Sequence, residues 1–260
     1  MSRSFTYQAL TLRVKPSGES NREAWFLTAE EGIVRATVFG GPKSRLRARV
    51  APYHEGTLWI YHDPVKDSRK VSDYDVRSYR AGIRELYERA MASAAVAETI
   101  LASHGGGAGG GPGALKLAGT VLDALEMADA PLCSRLGVYF LWHWTQILGE
   151  KPDLSACAAC GRELSHDEAL WYIDRKEALF CGNCAARPTS PNGYPAKNPA
   201  SSSLRLGPGA ISWLKAIESL PASGIKRVSL DGPSLEQAGS LVQAILALSI
   251  GQKLPTWDNI

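Results

Sequence analysis

Four cysteines in two closely spaced pairs constrain this chain more than any other feature. Cys157 and Cys160 form one Cys-x2-Cys pair, and twenty residues separate it from the second pair, Cys181 and Cys184. Each pair can direct two thiolates at one ion, and two pairs supply the tetrahedral set of sulfurs that Zn²⁺ prefers. The intervening LWYIDRKEALF predicts two short strands around an Asp-Arg-Lys turn. The spacing therefore predicts a zinc ribbon holding one structural Zn²⁺.

Other interpretations of the cysteines remain open at this stage. Iron fits the same sulfur cage, and a redox dithiol is a further option, although the hairpin favours a ribbon. His166 and Glu168 ahead of the second pair resemble the His-x-Glu…Pro-Cys-x2-Cys pattern of zinc deaminases. That match is poor, because Phe180 stands in place of the proline and the first cysteine pair would have no role. The fifth cysteine, Cys133, is expected to be a buried helix residue.

Composition places the chain among globular proteins. It has 260 residues, 45% of them hydrophobic and 21% charged, which suggests about two domains. The longest apolar stretch, Leu136 to Leu148, is shorter than the ~20 residues of a membrane span. The opening MSRSFTYQALTLRVKP lacks the apolar run of a signal peptide. We therefore expect a cytoplasmic protein that does not associate with membranes.

The sequence patterns predict β-structure in the first third of the chain and mostly helix in the remainder. Short runs between residues 4 and 76, namely TYQALTLRV, AWFLTAE, GIVRATVFGG, LRARVAPY and GTLWIYHD, predict a small antiparallel barrel. From Tyr79 to Leu101 apolar residues recur at intervals of three or four positions, which predicts an amphipathic helix. The glycine-rich composition of His104 to Gly113 (HGGGAGGGPG) predicts a flexible loop. Pro188 to Pro208 predicts a linker.

These patterns define an α+β multidomain fold. An antiparallel OB-fold barrel precedes an all-α domain into which the four-cysteine zinc ribbon is inserted. Further helices are expected over 114–127, 131–148, 209–220 and 235–250. The predicted divisions are a barrel at 1–78, helices at 79–155, the ribbon at 156–187, and a linker with returning helices at 188–260.

Basic residues concentrate in the predicted barrel. Residues 1–80 carry 14 Lys and Arg against 9 Asp and Glu, whereas the rest carries 15 against 17. Lys43, Arg45, Arg47 and Arg49 alternate, so a strand would place them on one face, with Leu46, Ala48 and Val50 turned inward. Such a stripe suits a nucleic-acid backbone, where counterion release favours binding.

Additional nucleic-acid candidates are less distinctive. Arg69 and Lys70 are expected in a polar loop. Tyr53, Trp59 and Tyr61 would stack on bases if they are exposed, although alternate aromatic residues in a strand more often belong to the core.

Three stretches together resemble the bacterial RecO family of recombination mediators. They are EGIVRATVFGGPKSRLRARVAPY (Glu31–Tyr53), ILGEKPDLSACAACGREL (Ile147–Leu164) and LRLGPGAISWL (Leu204–Leu214). The resemblance implies a protein without a catalytic centre or small-molecule substrate. It implies binding to single- and double-stranded DNA, annealing of complementary strands and, with RecR, loading of RecA onto SSB-coated DNA near the nucleoid.

The resemblance also assigns residues to these roles. The family's basic loop falls on Lys43, Arg45, Arg47 and Arg49, and its thiolate site falls on the four paired cysteines. The C-terminal tail of SSB would dock in an apolar groove with basic residues in the helical domain, for which Arg135 and Arg84 are candidates. An alternative hypothesis is a zinc-ribbon scaffold that recruits proteins and does not anneal DNA.

Overall fold

The computed structural model describes residues 3–41, 43–165, 167–186 and 203–260. His166 and most of the predicted linker lie outside the described residues. Among the described residues, no helix combines the length and apolar character needed to cross a lipid bilayer.

The N-terminal part folds into a closed barrel, as predicted. Its strands are β1 (Ser4–Ser17), β2 (Asn21–Thr28), β3 (Gly32–Val38), β4 (Glu55–Asp63) and β5 (Ser68–Ser78). They close in the order β1-β2-β3-β5-β4. Neighbouring strands are antiparallel except for β3 and β5, which run parallel where Thr37 pairs with Lys70. Alternate side chains such as Phe26, Leu58 and Tyr74 fill the interior.

The prediction of a strand at LRARVAPY is wrong. Residues Arg45–Arg49 form a short helix, α1, and the remaining barrel strand is β5. The RLRAR segment consists of good helix formers with no β-branched residue, which favours the helix. On α1, Leu46 packs against the barrel core one turn before buried Val50, whereas Ala48 is exposed.

The helical part agrees closely with the predicted helices. It contains α2 (Tyr87–Ala102), α3 (Pro112–Glu126), α4 (Ala130–Leu148), α5 (Gly182–Ala185), α6 (Pro208–Ile217) and α7 (Gly232–Ile250). Helix α2 begins later than predicted, because Ala81–Glu85 form a separate 3-10 turn. Asp129 and Asp231 cap α4 and α7 by accepting hydrogen bonds from the backbone N–H groups of Leu132 and Ser234.

The glycine-rich segment is a packed element, so the prediction of a flexible loop is wrong for its first part. His104–Gly109 form tight turns that are interrupted by non-helical backbone at Gly105–Gly107, and they pack against β3 and α4. Gly105 and Gly106 are buried there, with φ of 75° and 88°. Side chains would collide at this position, since a Cβ on Gly106 would lie 2.7 Å from Ile147 Cγ2. The glycines therefore allow the barrel and α4 to approach each other.

The cysteine region forms a small antiparallel sheet. The predicted hairpin is present as β6 (Leu170–Ile173) and β7 (Ala178–Cys181) around a turn at Asp174–Lys176. A third strand, β8 (Ser203–Leu206), pairs with β6 and contains the buried Leu206. The prediction of a linker is therefore wrong over β8, which joins the sheet to α6.

The buried Arg80 side chain connects the barrel with the helices. The Arg80 guanidinium is 1% exposed and donates to Glu55 of β4 at 2.6 Å and to Asp123 of α3 at 2.7 Å. It also donates to the carbonyl oxygens of Tyr53 at 2.8 Å and Gly119 at 3.3 Å. All three nitrogens of the guanidinium are thus used across the junction.

Two glycine substitutions test whether the packed glycine segment contributes to stability. We expect Gly106→Ala to lower the free energy of unfolding by about 2 kcal/mol, because it combines a left-handed backbone with a steric clash. Gly113→Ala is the matched control: nothing lies within 4 Å of its Cβ position, and alanine favours the helix by up to about 1 kcal/mol. Urea denaturation measures both variants. Equal stabilities would contradict the packing role of Gly106.

Candidate metal centre and nucleic-acid interface

The four paired cysteines meet at one point. The sulfur atoms of Cys157, Cys160, Cys181 and Cys184 all lie within 4.8 Å of one another. Sulfurs bound tetrahedrally to Zn²⁺ at about 2.3 Å are about 3.8 Å apart. The donor set therefore fits a closed four-thiolate metal site.

Each cysteine pair is positioned by a tight backbone turn. In the first, Gly161 has a φ of 69° and donates its N–H to the Cys157 carbonyl at 2.9 Å. In the second, Cys181 ends β7 and Cys184 lies in the single turn of α5. The bridge between Ala156 and Glu163 closes the first turn. Both turns thus present their sulfurs to the same space.

Backbone N–H groups favour the thiolate form of two cysteines. Burial opposes ionisation of Cys157, but N–H groups including that of Cys181, 3.4 Å from its sulfur, bring its pKa down to about 6. Burial likewise opposes ionisation of Cys181, yet the net effect of its hydrogen bonds lowers its pKa. The Cys184 thiol donates to the neighbouring sulfurs of Cys181 and Cys160, which raises its pKa to about 12.

The surroundings of the cluster do not favour the deaminase interpretation. Both carboxylate oxygens of Glu168 accept from the Arg162 guanidinium, one of them at 2.9 Å, and Oε1 also accepts from the Ser165 N–H. This carboxylate therefore holds the ribbon loop together. The first cysteine pair would have no ligand role in a deaminase site, yet it belongs to the cluster. Outside the cluster, Cys133 is buried in α4, and burial raises its pKa to about 11.

The basic segment does not form the single stripe that a strand would give. On a helix of 3.6 residues per turn, Arg47 points about 200° away from Arg45, whereas Arg49 shares the Arg45 side. Lys43 and Arg45 are exposed, and Arg47 is partly buried. Arg49 pairs with Asp73 of β5 at 3.0 Å. Lys43 and Arg45 are consequently the most accessible cations of this segment.

Arg69 and Lys70 lie in β5 and not in a loop as predicted. Arg69 donates to Glu31 at 2.9 Å. The Lys70 ammonium lies 4.6 Å from the centre of the Tyr61 ring. Each cation therefore already has a partner on the barrel surface.

The three candidate aromatic residues occupy different environments. Tyr53 packs against the helical core, and burial raises its pKa to about 12. Trp59 is 36% exposed on the outer surface of β4. Tyr61 is half-buried on the same strand. Only the two β4 rings are accessible to a nucleic acid.

Sequence reasoning missed a second basic and aromatic cluster on the barrel. Arg13 of β1, Trp25 of β2 and Arg35 of β3 are direct neighbours in the strand register. The Arg35 guanidinium lies 5.5 Å from the Trp25 ring centre, and the Lys15 ammonium lies 5.8 Å from it. Alternation within TYQALTLRVK places Arg13 and Lys15 together, but only the register brings Trp25 and Arg35 beside them.

An apolar groove of about 620 Å³ lies between α6 and the segment before α7. Trp213, Val228 and Leu230 line it. The Trp213 indole N–H is buried and has no hydrogen-bond partner among the described residues. Arg135 donates to the Val228 carbonyl at 2.8 Å, so this predicted residue adjoins the groove. The other candidate, Arg84, lies in the 3-10 turn that precedes α2.

These features define a class of protein in which a barrel with a basic surface is fused to a helical body carrying a four-cysteine ribbon. The family model for the recombination protein O N terminus matches residues 1–79, and the model for its C terminus matches residues 84–258. The chain also resembles the DNA repair protein RecO of Heliobacterium modesticaldum, with 25% identity over 266 residues, 99% of this chain and 89% of that protein. The chain belongs to the RecO family, a family of DNA-repair recombination mediators.

Matched cysteine substitutions test the metal centre. We expect Cys160→Ala to lose the bound metal and to unfold the ribbon locally, because ribbon folding depends on its ion. Cys133→Ala removes a thiol outside the cluster and should retain the metal. Elemental analysis after gel filtration measures the metal bound per chain. A fully loaded Cys160→Ala variant, or a well-folded wild-type protein free of metal, would refute the site.

Proposed function

We propose that this chain is a RecO-type mediator that binds single- and double-stranded DNA and anneals complementary strands. With RecR, it helps to load RecA onto SSB-coated DNA in recombinational repair. The observation that carries the proposal is the match of both family models over nearly the whole chain. On this proposal the protein acts through its binding surfaces, as a mediator and not as an enzyme.

The DNA interface is the basic side of the barrel. Lys43 and Arg45 are exposed, and Arg47, Arg49, Arg69 and Lys70 add charge around them. The ion pairs of Arg49 and Arg69 are partly exposed. Exposed pairs contribute at most about 1 kcal/mol, so phosphate groups compete readily with Asp73 and Glu31. The binding free energy comes largely from released counterions.

The metal of the ribbon is one Zn²⁺ with a structural role. Four thiolates complete a tetrahedral coordination sphere and leave no position for substrate. The fit of the four sulfurs within 4.8 Å supports this assignment. Iron is the alternative, and elemental analysis separates the two.

The groove beside Trp213 is the docking site for the C-terminal tail of SSB. Apolar residues line it together with Ser212, Ser229 and Asp231, and exposed Lys226 and Arg227 precede Val228 in the chain. A C-terminal tail ends in a carboxylate, which these cations attract. Arg135 supports the groove wall through Val228.

Charge reversal tests the DNA interface. The variant with Lys43→Glu and Arg45→Glu should bind oligonucleotides at least tenfold more weakly and lose strand annealing. Loss of two phosphate contacts should also make the negative slope of log K against log salt shallower by about 1.4 for single strands. Fluorescence anisotropy and an annealing assay, with and without SSB, measure these effects. Unchanged affinity would contradict this interface, and a wild-type protein without annealing activity would favour the scaffold hypothesis.

The matched double variant Lys226→Glu and Arg227→Glu tests the groove. It should bind a peptide of the SSB tail about tenfold more weakly and retain wild-type affinity for DNA. Trp213→Phe removes part of the apolar wall of the groove, so we expect a loss of about two- to tenfold in peptide affinity. Calorimetry with the peptide measures both effects. The variant with Lys43→Glu and Arg45→Glu is the reciprocal control and should bind the peptide with wild-type affinity. If it loses as much peptide affinity as the two groove variants, the peptide binds elsewhere.

A further inference from the structure

A cavity of about 150 Å³ lies where the hairpin of the ribbon meets the C-terminal end of α7. Two carboxylates, a phenol and the last turns of the helix line it, namely Glu150, Tyr172, Glu177, Ile245, Leu248 and Ser249. We call this cavity the acidic pocket. It shares no residue with the groove beside Trp213 or with the cysteine cluster.

The tyrosine of the acidic pocket is buried without a hydrogen-bond partner. Tyr172 is 1% exposed, and its hydroxyl bonds to none of the described residues. The Oδ1 atom of Asp174, two residues later, is also buried and unpartnered within the described part of the chain. Burial, together with the carboxylates of Asp174, Glu177 and Glu150, raises the pKa of the Tyr172 hydroxyl to about 12. This hydroxyl therefore lies in a negative field and remains available to a ligand.

The negative charge of the acidic pocket is not neutralised by neighbouring cations. Among the described residues, neither Glu150 nor Glu177 has an ion-pair or hydrogen-bond partner for its carboxylate. The adjacent Lys151 is paired elsewhere at 2.7 Å, and Arg175 and Lys176 are exposed and do not line the cavity. Helix α7 has no basic residue in its last turn, where free carbonyl groups add partial negative charge. The pocket therefore favours a cation.

The size and spacing of the acidic pocket select the kind of cation. Within the described ranges, only the four cysteines bring three or more ligand atoms within 4.8 Å of one another, so the carboxylates do not converge on one metal ion. A cavity of ~150 Å³ holds a group of about six heavy atoms, such as benzene, and is smaller than the ~300 Å³ of small-molecule sites. An arginine side chain beyond its Cβ atom has this size. Its planar guanidinium reaches separate acceptors at once and stacks on aromatic rings.

The apolar wall favours an arginine that belongs to a protein segment. Leu248 is 48% exposed beside the cavity, and Ile245 lies one turn earlier on α7. The methylene groups of an arginine pack on such a wall while its charged head reaches the carboxylates. In a peptide, the residue next to the arginine adds a contact with Leu248. A free polyamine carries no apolar side chain to make that contact.

We propose that the acidic pocket receives an arginine side chain of a partner protein, and that an apolar residue next to this arginine contacts Leu248. The guanidinium donates to Glu150 and Glu177, and the Tyr172 hydroxyl accepts from it. This binding site goes beyond the proposed function, because its charge is opposite to that of a DNA-binding surface. DNA, itself an anion, would not compete for the pocket. A basic partner could therefore bind the helical body while DNA occupies the barrel.

Selection from a displayed library of random heptapeptides tests the acidic pocket. The library is selected on the full-length wild-type protein, and we expect the recovered sequences to carry arginine beside an apolar residue. A synthetic peptide of the recovered sequence is then titrated by calorimetry. Replacing its arginine with citrulline keeps the shape but removes the charge, and should weaken binding at least tenfold. We expect Glu177→Gln to lose about tenfold in peptide affinity and Tyr172→Phe about two- to tenfold.

Glu236→Gln is the matched control, since Glu236 is exposed near the other end of α7. It should bind the peptide with wild-type affinity, and all variants should bind DNA as the wild type does. Elemental analysis verifies that Glu177→Gln keeps the ribbon metal; if it does not, Glu150→Gln, outside the ribbon, decides instead.

Three results would overturn the acidic pocket as a site for a protein partner. The first is a selection that recovers no sequences, or only sequences without arginine. The second is a peptide that binds the wild-type protein and the glutamate variants equally, which would place it elsewhere. The third is tighter binding of spermidine than of the peptide, which would assign the pocket to a free polyamine. Each result leaves the DNA-binding proposal intact, because none of these measurements involves DNA.

Discussion

The buried guanidinium of Arg80 forms the polar centre of the junction between the barrel and the helices, beside the apolar packing of Leu10, Leu12 and Leu27. Removing this charge from water costs several kcal/mol, which only good geometry and complete hydrogen bonding offset. Glu55 and Asp123 supply the opposite charge, and two carbonyl oxygens supply further acceptors. The backbone of Arg80 is itself left-handed, with a φ of 47°. Because its acceptors come from both β4 and α3, the junction forms only when both parts are folded.

The ribbon depends on the helical body in a comparable way. Its residues Leu170, Tyr172 and Leu179 belong to the same hydrophobic core as the helices. Strand β8 leads directly into α6, and the Gly207 N–H at that junction donates to Gln237 of α7 at 2.6 Å. The sheet is therefore supported from one side by apolar packing. Cys181 and Leu206 both pair with Leu170 at the same end of the sheet, and Cys157 and Cys181 are buried in the same core. A metal ion bound by the four-cysteine turns would therefore reinforce this packing.

Sequence patterns predicted the elements whose signal is local. Alternation identified most barrel strands, the 3.6-residue period identified the helices, and spacing identified the cysteine cluster. The basic segment was misassigned because alternate cations fit a strand face, while the helix propensity of RLRAR favoured α1. The packed structure of the glycine segment and the strand β8 form through tertiary contacts, which the composition of these segments does not reveal. Trp25 and Arg35 were missed for the same reason, since only strand register joins them.

The distribution of charge is consistent with reversible binding. Several barrel cations are paired with carboxylates, among them Arg35 with Glu23 and Arg49 with Asp73. A phosphate must displace these carboxylates, so each contact adds less than a free cation would. The remaining chain has a slight acidic excess. A mediator must hold a strand long enough to pair it and then release it. On the proposed function, a moderate affinity that is concentrated on the barrel and sensitive to salt would meet both requirements.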